Sequence, residues 1–268
     1  ARDMAITRAS LENIPINLIT SIPSIETYNN IVNKKYYITK IKNRYKEASL
    51  PSVETINLNS EVLSKNSWIA NKTIIKVNKY LEKGDQVLFF LNRRGYSPFV
   101  ICKKCGYKFQ CPNCAVNLNY HKNLNKLLCH YCGHKSFPSR KCKDNKQCDL
   151  LFCGPGVERI YAELKKIYSN KKIEIFSSDT LEKNELASSL LKKAEKKQID
   201  ILVGTQMLSK GFHFPKLNCI VVVDGDFSSH GYDLRSAEKN IQLYHQLSGR
   251  AGRTGSKSII RSEEHTSE

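Results

Sequence analysis

Several features common in enzymes and secreted proteins are missing from this 268-residue sequence. It contains no G-x-x-x-x-G-K-[ST] loop, the segment that wraps nucleotide phosphates in P-loop enzymes. No apolar run approaches the ~18 residues that a membrane-spanning helix needs. The opening residues, ARDMAITRAS, lack both an initiator methionine and the apolar stretch of a secretory signal. We therefore expect a fragment of a cytoplasmic protein without membrane contact.

Acidic residues are scarce: 25 Asp and Glu stand against 43 Lys and Arg, a formal net charge of +18. Two interpretations stay open, because lysine-rich solvated helix surfaces and a polyanionic partner such as nucleic acid both produce this excess. Aromatic residues among the basic ones would either stack nucleobases or form a miniature core. They are Tyr107, Phe109, Tyr120, Tyr131 and Phe137.

The sequence lacks the export signal that would make its 10 cysteines a disulfide framework. Most of them fall in Cys-x-x-Cys pairs within residues 102–148, and two such pairs supply the four thiolates of a tetrahedral zinc site. Cys153 and Cys219 adjoin apolar strands and are interpreted as buried thiols. The candidate ligands, enough for two zinc ions, are Cys102, Cys105, Cys111, Cys114, Cys129, Cys132, Cys142 and Cys148.

The pairing of these cysteines is open at the level of sequence. In a nested arrangement the two middle pairs share one metal and the outer pairs share the other, whereas adjacent pairing is the alternative. Five residues separate Cys142 from Cys148, which is not the usual knuckle spacing. An iron–sulfur cluster is a further possibility. Three histidines are candidate substitute ligands or plain surface residues: His121, His130 and His134.

Hydrophobic periodicity predicts an α/β fold in which a parallel sheet carries flanking helices. Near-continuous apolar strands are predicted in QVLFFLNRRG, KIEIFSSD, IDILVGT and NCIVVVD, with helices over residues 70–81, 157–167, 186–194 and 237–248. Residues 1–60 are predicted to hold short strands and loops, with strands in IPINLIT, YYITKI and VETINL. The cysteine region therefore interrupts one doubly wound domain as an insertion.

Three loops carry polar or charged side chains of the kind found at ligand sites, although Asp224 by itself fits a strand-end cap equally well. Hydroxyl, amide and ammonium groups follow one strand in TQMLSKGFHFP, and Asp224 and Asp226 follow another. Glycines surround Arg250 and Arg253 in QLSGRAGRTG, a layout that suits guanidinium groups reaching a phosphate. Ligands collect at the carboxyl ends of strands in open α/β sheets, so we expect these loops to line one phosphate-rich cleft.

The order of these motifs resembles that of the PriA family of bacterial replication-restart proteins, over roughly residues 1–260. The resemblance implies a superfamily 2 DNA helicase with two RecA-like domains and ATP bound between them. It implies that residues 1–60 are the end of the first RecA-like domain and a linker. Residues 61–101 and 149–260 would form the second, and residues 102–148 the two-zinc insertion. The matching stretches are FLNRRGYSP, the cysteine insertion, GPGVERI, ILVGTQMLSKGFHFP and QLSGRAGRTG, after RDMAITRASLENIPINLITSIPSIET.

The resemblance also implies roles for individual residues. Gln246, Arg250 and Arg253 match the motif that contacts ATP, with Arg253 as the arginine finger. ATP and Mg²⁺ are the implied cofactors of the intact protein. A second group matches the motif that couples nucleotide to the DNA backbone: Gly204, Thr205, Gln206, Lys210 and Gly211. The implied partners are forked and single-stranded DNA, primosome proteins and single-strand-binding proteins. The resemblance also implies a monomer that is located in the bacterial cytoplasm, in association with the nucleoid.

Some positions depart from the family pattern. Thr20-Ser21-Ile22 stands where Ser-Ala-Thr is usual, Phe212 replaces a histidine, and Asn145 occupies the place of the last cysteine. The final residues 261–268, RSEEHTSE, match nothing in the family and are interpreted as a non-native tail.

Three functional hypotheses follow. The first is a helicase fragment that is inactive alone, because nothing in it holds the β-phosphate. The second is a non-enzymatic zinc-ribbon module that binds nucleic acid or protein, and the third is a decayed gene product.

Overall fold

The computed structural model of the chain describes residues 2–41, 49–63, 67–92, 95–139, 141–142, 148–177, 184–206, 214–225, 235–253 and 255–264, with backbone alone at 184–187. Its internal contacts divide the chain into two units, Ala1–Lys40 and Ile41–Glu268. Among the described helices, none combines the length and apolar character needed to cross a membrane.

The first unit is helical, with α1 over Arg2–Leu11 and α2 over Ile25–Val32. The strands predicted in IPINLIT and YYITKI are wrong, since the structure has no strand in residues 14–20 or 36–41. A strand needs a hydrogen-bonding partner, and the described part of this unit offers none. The signal for α2 was present in the sequence: the Ser24 hydroxyl accepts a hydrogen bond from Thr27 N at 3.3 Å, which is an N-cap.

The second unit is built on a parallel sheet of six strands in the order β1-β11-β10-β2-β9-β8, which confirms the predicted α/β class. The strands are β1 Ser52–Asn57, β2 Gln86–Phe90, β8 Ile173–Phe176, β9 Ile201–Gly204, β10 Leu217–Val222 and β11 Ile259–Glu264. The helices are α3 Asn71–Glu82, α4 Val157–Ile167, α5 Asn184–Glu195 and α6 Ser236–Ser248, close to their predicted positions.

Alternating side chains of the central strands build a core on each face of the sheet, as the two-residue period of a strand requires. Phe89 belongs to the cluster that packs with α3 and α4, whereas Leu88 and Phe90 belong to the cluster that packs with α5 and α6. Both faces are covered, so β2, β9 and β10 are buried throughout.

The last two strands on one side of the sheet bring together distant parts of the chain. Strand β1 pairs with β11, so residues 52–57 belong to the sheet assigned to residues 61–101 and 149–260 rather than to the preceding segment. Strand β11 also takes in Arg261 to Glu264, the first part of RSEEHTSE. Glu263 is fully buried there and its Oε1 accepts a hydrogen bond from Ala70 N at 3.0 Å.

The cysteine insertion leaves and rejoins the sheet domain through an antiparallel pair, β3 Phe99–Cys102 and β7 Leu150–Cys153. Between them lies a small antiparallel sheet of β4 Asn119–His121, β5 Lys126–Leu128 and β6 Lys135–Ser136. The insertion therefore begins at the end of one short strand and closes on its neighbour, which places both ends of the module together.

Candidate metal and phosphate sites

Three Cys-x-x-Cys turns share one backbone geometry. In each turn, the backbone N–H four residues after the first cysteine donates a hydrogen bond to the carbonyl of that cysteine. The backbone N–H of the same cysteine donates to the carbonyl of the residue five positions after it. Gly106, Ala115 and Gly133 occupy the fourth position with φ values of 74°, 56° and 78°. This left-handed turn directs both sulfurs of a pair to the same side. The bonds join Gly106 N to Cys102 O, Ala115 N to Cys111 O and Gly133 N to Cys129 O, at 2.8–2.9 Å.

The two middle pairs form one sulfur cluster, with all four Sγ atoms within 4.8 Å of one another. Cys111 Sγ lies 3.4 Å from Cys132 Sγ, and Cys114 Sγ lies 3.4 Å from Cys129 Sγ. Four sulfurs at 2.3 Å from a tetrahedral zinc would be about 3.8 Å apart. The cluster therefore fits a zinc ion without rearrangement of the turns, in the nested arrangement rather than the adjacent one.

The outer cluster is less regular. Cys102, Cys105 and Cys142 have their sulfurs within 4.8 Å of one another, and Cys105 Sγ is 3.6 Å from Cys142 Sγ. Cys148 is buried and hydrogen-bonds through its thiol to Cys102 and Cys142, but it lies outside that mutual set. Residues 143–147, with Asn145, lie outside the described part of the chain. These three thiolates would need the Cys148 sulfur, brought into the set, to complete a tetrahedral site of four cysteines.

The thiols of each cluster have divided acidities. A hydrogen bond between Cys102 and Cys148 lowers the pKa of Cys102 to about 6. Burial and the same hydrogen bond raise the pKa of Cys148 to about 12. Burial and a hydrogen bond with Cys129 raise the pKa of Cys114 to about 12. Although burial opposes it, backbone N–H donation within the turn lowers the pKa of Cys129 to about 6. Metal binding must therefore displace protons from the high-pKa partners.

The three candidate histidines belong to neither sulfur cluster in the described structure. His121 instead contacts His130 and Glu158, an arrangement that the sequence did not suggest. Cys219 is fully buried, as predicted, and burial raises its pKa to about 12. Cys153 is half-buried, and burial likewise raises its pKa.

The aromatic residues of the insertion divide between the two interpretations left open by the sequence. Phe109 is buried in the module's core, and Tyr107 and Tyr120 pack against that core. Tyr131 and Phe137 are 83% and 70% exposed. Two aromatic rings are thus open to solvent, and Lys126 Nζ lies 5.4 Å from the centroid of one of them, Phe137.

The arginine turn follows the end of α6. Arg253 Nε donates to Gly249 O at 2.9 Å, and burial, followed by the nearby Arg253 charge, lowers the pKa of Arg250. The positive charges of Arg250 and Arg253 repel each other, and an anion bound by both would relieve the repulsion. Gln246 is exposed on the last turn of α6. These three residues therefore lie on one segment suited to a phosphate.

The residues predicted to couple nucleotide to DNA lie elsewhere. Gly204 ends β9 and Thr205 N donates to Phe176 O at 3.2 Å, so both mark the carboxyl edge of the sheet. Thr205 is buried and Gln206 is exposed. Lys210 and Gly211 fall outside the described residues.

Among the described residues, the expectation of one cleft lined by all these loops is wrong; residues 207–213 lie outside the described part of the chain. Gly252 N donates to Leu217 O, the first residue of β10, so the arginine turn lies at the amino edge of the sheet. Gly204 lies at the opposite edge, in register with Phe90 and Phe176. The physical reason is that the arginine turn leads from a helix into β11, whereas Gly204 to Gln206 follow a strand, and in a parallel sheet these two kinds of loop emerge at opposite edges.

The chain is similar in sequence to a family of known proteins. A family model described as the PriA DNA helicase Cys-rich region (CRR) domain matches residues 111–136. The chain is 42% identical to replication restart protein PriA of Rickettsia conorii over 97% of its own length and 40% of the relative. The corresponding protein of Bacillus subtilis is 35% identical over 94% of this chain and 32% of the relative.

The chain thus spans about two fifths of the length of the curated relatives it matches. Among solved structures, Saccharomyces cerevisiae Dbp5 bound to RNA and ADP BeF3 aligns with a TM-score of 0.48 and 11% identity, over 96% of this chain and 48% of that one. Mycobacterium smegmatis helicase Lhr bound to ssDNA and AMP-PNP aligns with a TM-score of 0.44 and 13% identity, over 81% and 20%.

Proposed function

Because this chain belongs to the PriA family over the stretch that it spans, we propose that it is the carboxyl-terminal part of a helicase motor that restarts replication. The alignment over 97% of the chain carries this proposal. In this proposal, the parallel sheet, the cysteine insertion and the arginine turn are the parts of the chain that contribute to the motor. Its partners are forked and single-stranded DNA, together with primosome and single-strand-binding proteins, and it works as a monomer in the bacterial nucleoid.

The two edges of the sheet have separate tasks in this proposal. At the amino edge, Arg250 and Arg253 meet the phosphates of ATP held with Mg²⁺ by the other RecA-like domain, and Arg253 stabilises charge on the γ-phosphoryl group. At the carboxyl edge, Gly204 to Gln206 contact the DNA backbone, where the absence of a side chain at Gly204 allows close approach. Nucleotide and DNA then act at opposite edges of the same parallel sheet.

The insertion holds two zinc ions in this proposal. Cys111, Cys114, Cys129 and Cys132 hold one, and the outer four cysteines, including Cys148, hold the other. Zinc cross-links turns that have too small a core to fold alone. The exposed rings of Tyr131 and Phe137 then stack on bases of a single strand.

DNA binding is the first test. Purified chain is titrated against labelled forked DNA, single strands and duplex between 50 and 300 mM salt. Log affinity should fall linearly with log salt, by about 0.7–0.9 per phosphate contacted, because Lys and Arg release counterions. Salt-independent binding would instead favour the zinc-ribbon alternative with a protein partner, and absence of any binding would favour a decayed product.

The motor assignment needs a complete ATP site. The chain alone should hydrolyse no ATP, whereas a chimera carrying the amino-terminal part of the Rickettsia conorii relative should do so. In that chimera Arg253→Ala should lower kcat about 10³-fold, the magnitude typical of an arginine finger. Lys257→Ala, an exposed cation in the same loop, is the control. Equal loss in both variants would contradict the role of Arg253.

A further inference from the structure

A chain of hydrogen bonds runs from the inner cysteine cluster to the first turn of α4. His130 lies between Cys129 and Cys132, and its Nε2 is 3.0 Å from His121 Nε2. On the other side of the His121 ring, Nδ1 is 3.1 Å from Glu158 Oε1. Glu158 is the second residue of α4, so the chain crosses from the insertion into the sheet domain.

The partners determine the direction of these hydrogen bonds. A carboxylate only accepts, so His121 donates from Nδ1 to Glu158, and in the neutral imidazole its Nε2 is then the acceptor. With His121 neutral, His130 carries a proton on Nε2 and donates it to His121. The second carboxylate oxygen, Glu158 Oε2, accepts from Lys122 N at 3.2 Å. Each of these three hydrogen bonds thus pairs one donor with one acceptor when His121 is neutral.

Neighbouring groups restrain the hydrogen-bonded series Glu158–His121–His130. The His121 side chain is 5% exposed and that of Glu158 is 17% exposed. Glu158 N also donates to Gly95 O at 3.1 Å. The next residue, Arg159, donates to Gly154 O and Phe152 O, and its guanidinium lies 4.4 Å from the Tyr96 ring centroid. Paired polar groups that are largely shielded from water restrict the relative orientation of the segments that carry them.

We propose that Glu158, His121 and His130 are positioning residues that hold the inner cysteine turn against α4, so that retention of its metal depends on the sheet domain. This rests on the proposed zinc site, not on DNA unwinding. Outer contacts that orient a ligand-bearing segment typically change metal affinity 10–100-fold. Here the contact orients the turn that carries Cys129 and Cys132 rather than a ligand atom itself.

Zinc release tests the proposal. The full chain is mixed with excess chelator, and the release phase of the inner site is identified by its loss in Cys132→Ser. In Glu158→Gln the side chain has only one acceptor oxygen, whereas Glu158 accepts from His121 Nδ1 and Lys122 N with two. Zinc release from the inner site should therefore become about 10-fold faster. The matched control is Glu163→Gln on the same helix, whose carboxylate accepts from Trp68 N and the Ser67 hydroxyl without touching the insertion. Equal acceleration by Glu163→Gln would overturn the proposal, because a loosened helix would then explain both.

Coupling gives a second readout. If the three residues act in series, Glu158→Gln combined with His130→Phe should release zinc no faster than the more affected single variant, whereas independent effects would multiply. Multiplication would overturn the proposal. Nitrogen-15 spectra of the zinc-loaded chain should show His121 protonated on Nδ1 and His130 on Nε2, and the opposite tautomers would also overturn it.

Failure of the metal proposal is distinguishable from failure of this one. A wild-type chain without zinc would overturn both together. Normal zinc content with unchanged release in Glu158→Gln would overturn the positioning role alone.

Discussion

Gly156 and Gly95 pack backbone against backbone, and a Cβ added to Gly156 would lie 2.2 Å from the carbonyl oxygen of Gly95. Gly156 has φ −125° and ψ 169°, an extended conformation that any residue adopts. Its lack of a side chain is therefore required by space and not by backbone conformation. A Cβ on Gly95 would in turn meet Tyr120 O at 2.9 Å, so the sheet domain and the insertion meet at two glycines.

Gly156→Ala should lower the free energy of unfolding by about 1–3 kcal/mol, since backbone must move to admit the methyl group. Urea unfolding of the metal-loaded chain measures this. Gly84→Ala is a useful contrast, because Gly84 has φ 72° and no atom within 4 Å of an added Cβ. It should cost about 1 kcal/mol through backbone conformation alone. A neutral Gly156→Ala would contradict the close contact.

Ala115→Gly should stabilise the metal-loaded chain by about 0.5 kcal/mol. Ala115 has φ 56° at the position where the other two cysteine turns have glycine. Removal of its exposed methyl group relieves about 1–2 kcal/mol of left-handed strain, offset by the about 0.4–1 kcal/mol that glycine adds to the entropy of the unfolded chain. Thermal unfolding in excess zinc measures the difference. A lower midpoint would show that the methyl group contributes packing.

Cys148→Ser should reduce the zinc content from two ions per chain to one, since the other three outer sulfurs alone leave the site open. Elemental analysis of protein purified without added zinc measures it. Cys153→Ser, a half-buried thiol outside both clusters, should retain two. One zinc in both the wild type and Cys148→Ser would mean that the outer site does not hold metal.

The stability of the chain should fall between about pH 4.5 and pH 7 because of Glu263. Burial raises the pKa of this carboxyl group from 4.5 to about 7, although Ala70 N–H donation opposes the shift. The folded state therefore binds the proton more tightly, and its contribution is complete below pH 4.5 and lost as the pH approaches 7. The loss is on the order of 3 kcal/mol.

Glu263→Gln isolates this effect, because the amide keeps an acceptor for Ala70 N and does not titrate in this range. Urea unfolding of both proteins at pH 5, 6 and 7 should show a steeper decline for the wild type. Parallel curves would show that Glu263 is solvated in the folded state.

Periodicity predicted the sheet strands and the flanking helices because each buries a regular face, which is a local property of the sequence. Helix α1 was missed because its residues form no apolar stripe, and only Ala9 is buried. The segment IPINLIT has the composition of a strand, yet Ile19 is 96% exposed and unpaired with any strand in the described structure. The composition of a segment does not determine whether a neighbouring strand is available to pair with it, so the strand prediction failed here.

By itself, the sequence determined which residues could bind metal and phosphate, because the Cys-x-x-Cys spacing and the glycine–arginine turn carry their chemistry locally. Tertiary structure alone decided how these parts meet. It paired the cysteine turns in a nested arrangement, separated the arginine turn from Gly204 across the sheet, and connected His130 to Glu158 through His121. Each of these relationships joins residues distant in sequence, and strand order and packing set such distances where no local pattern encodes them.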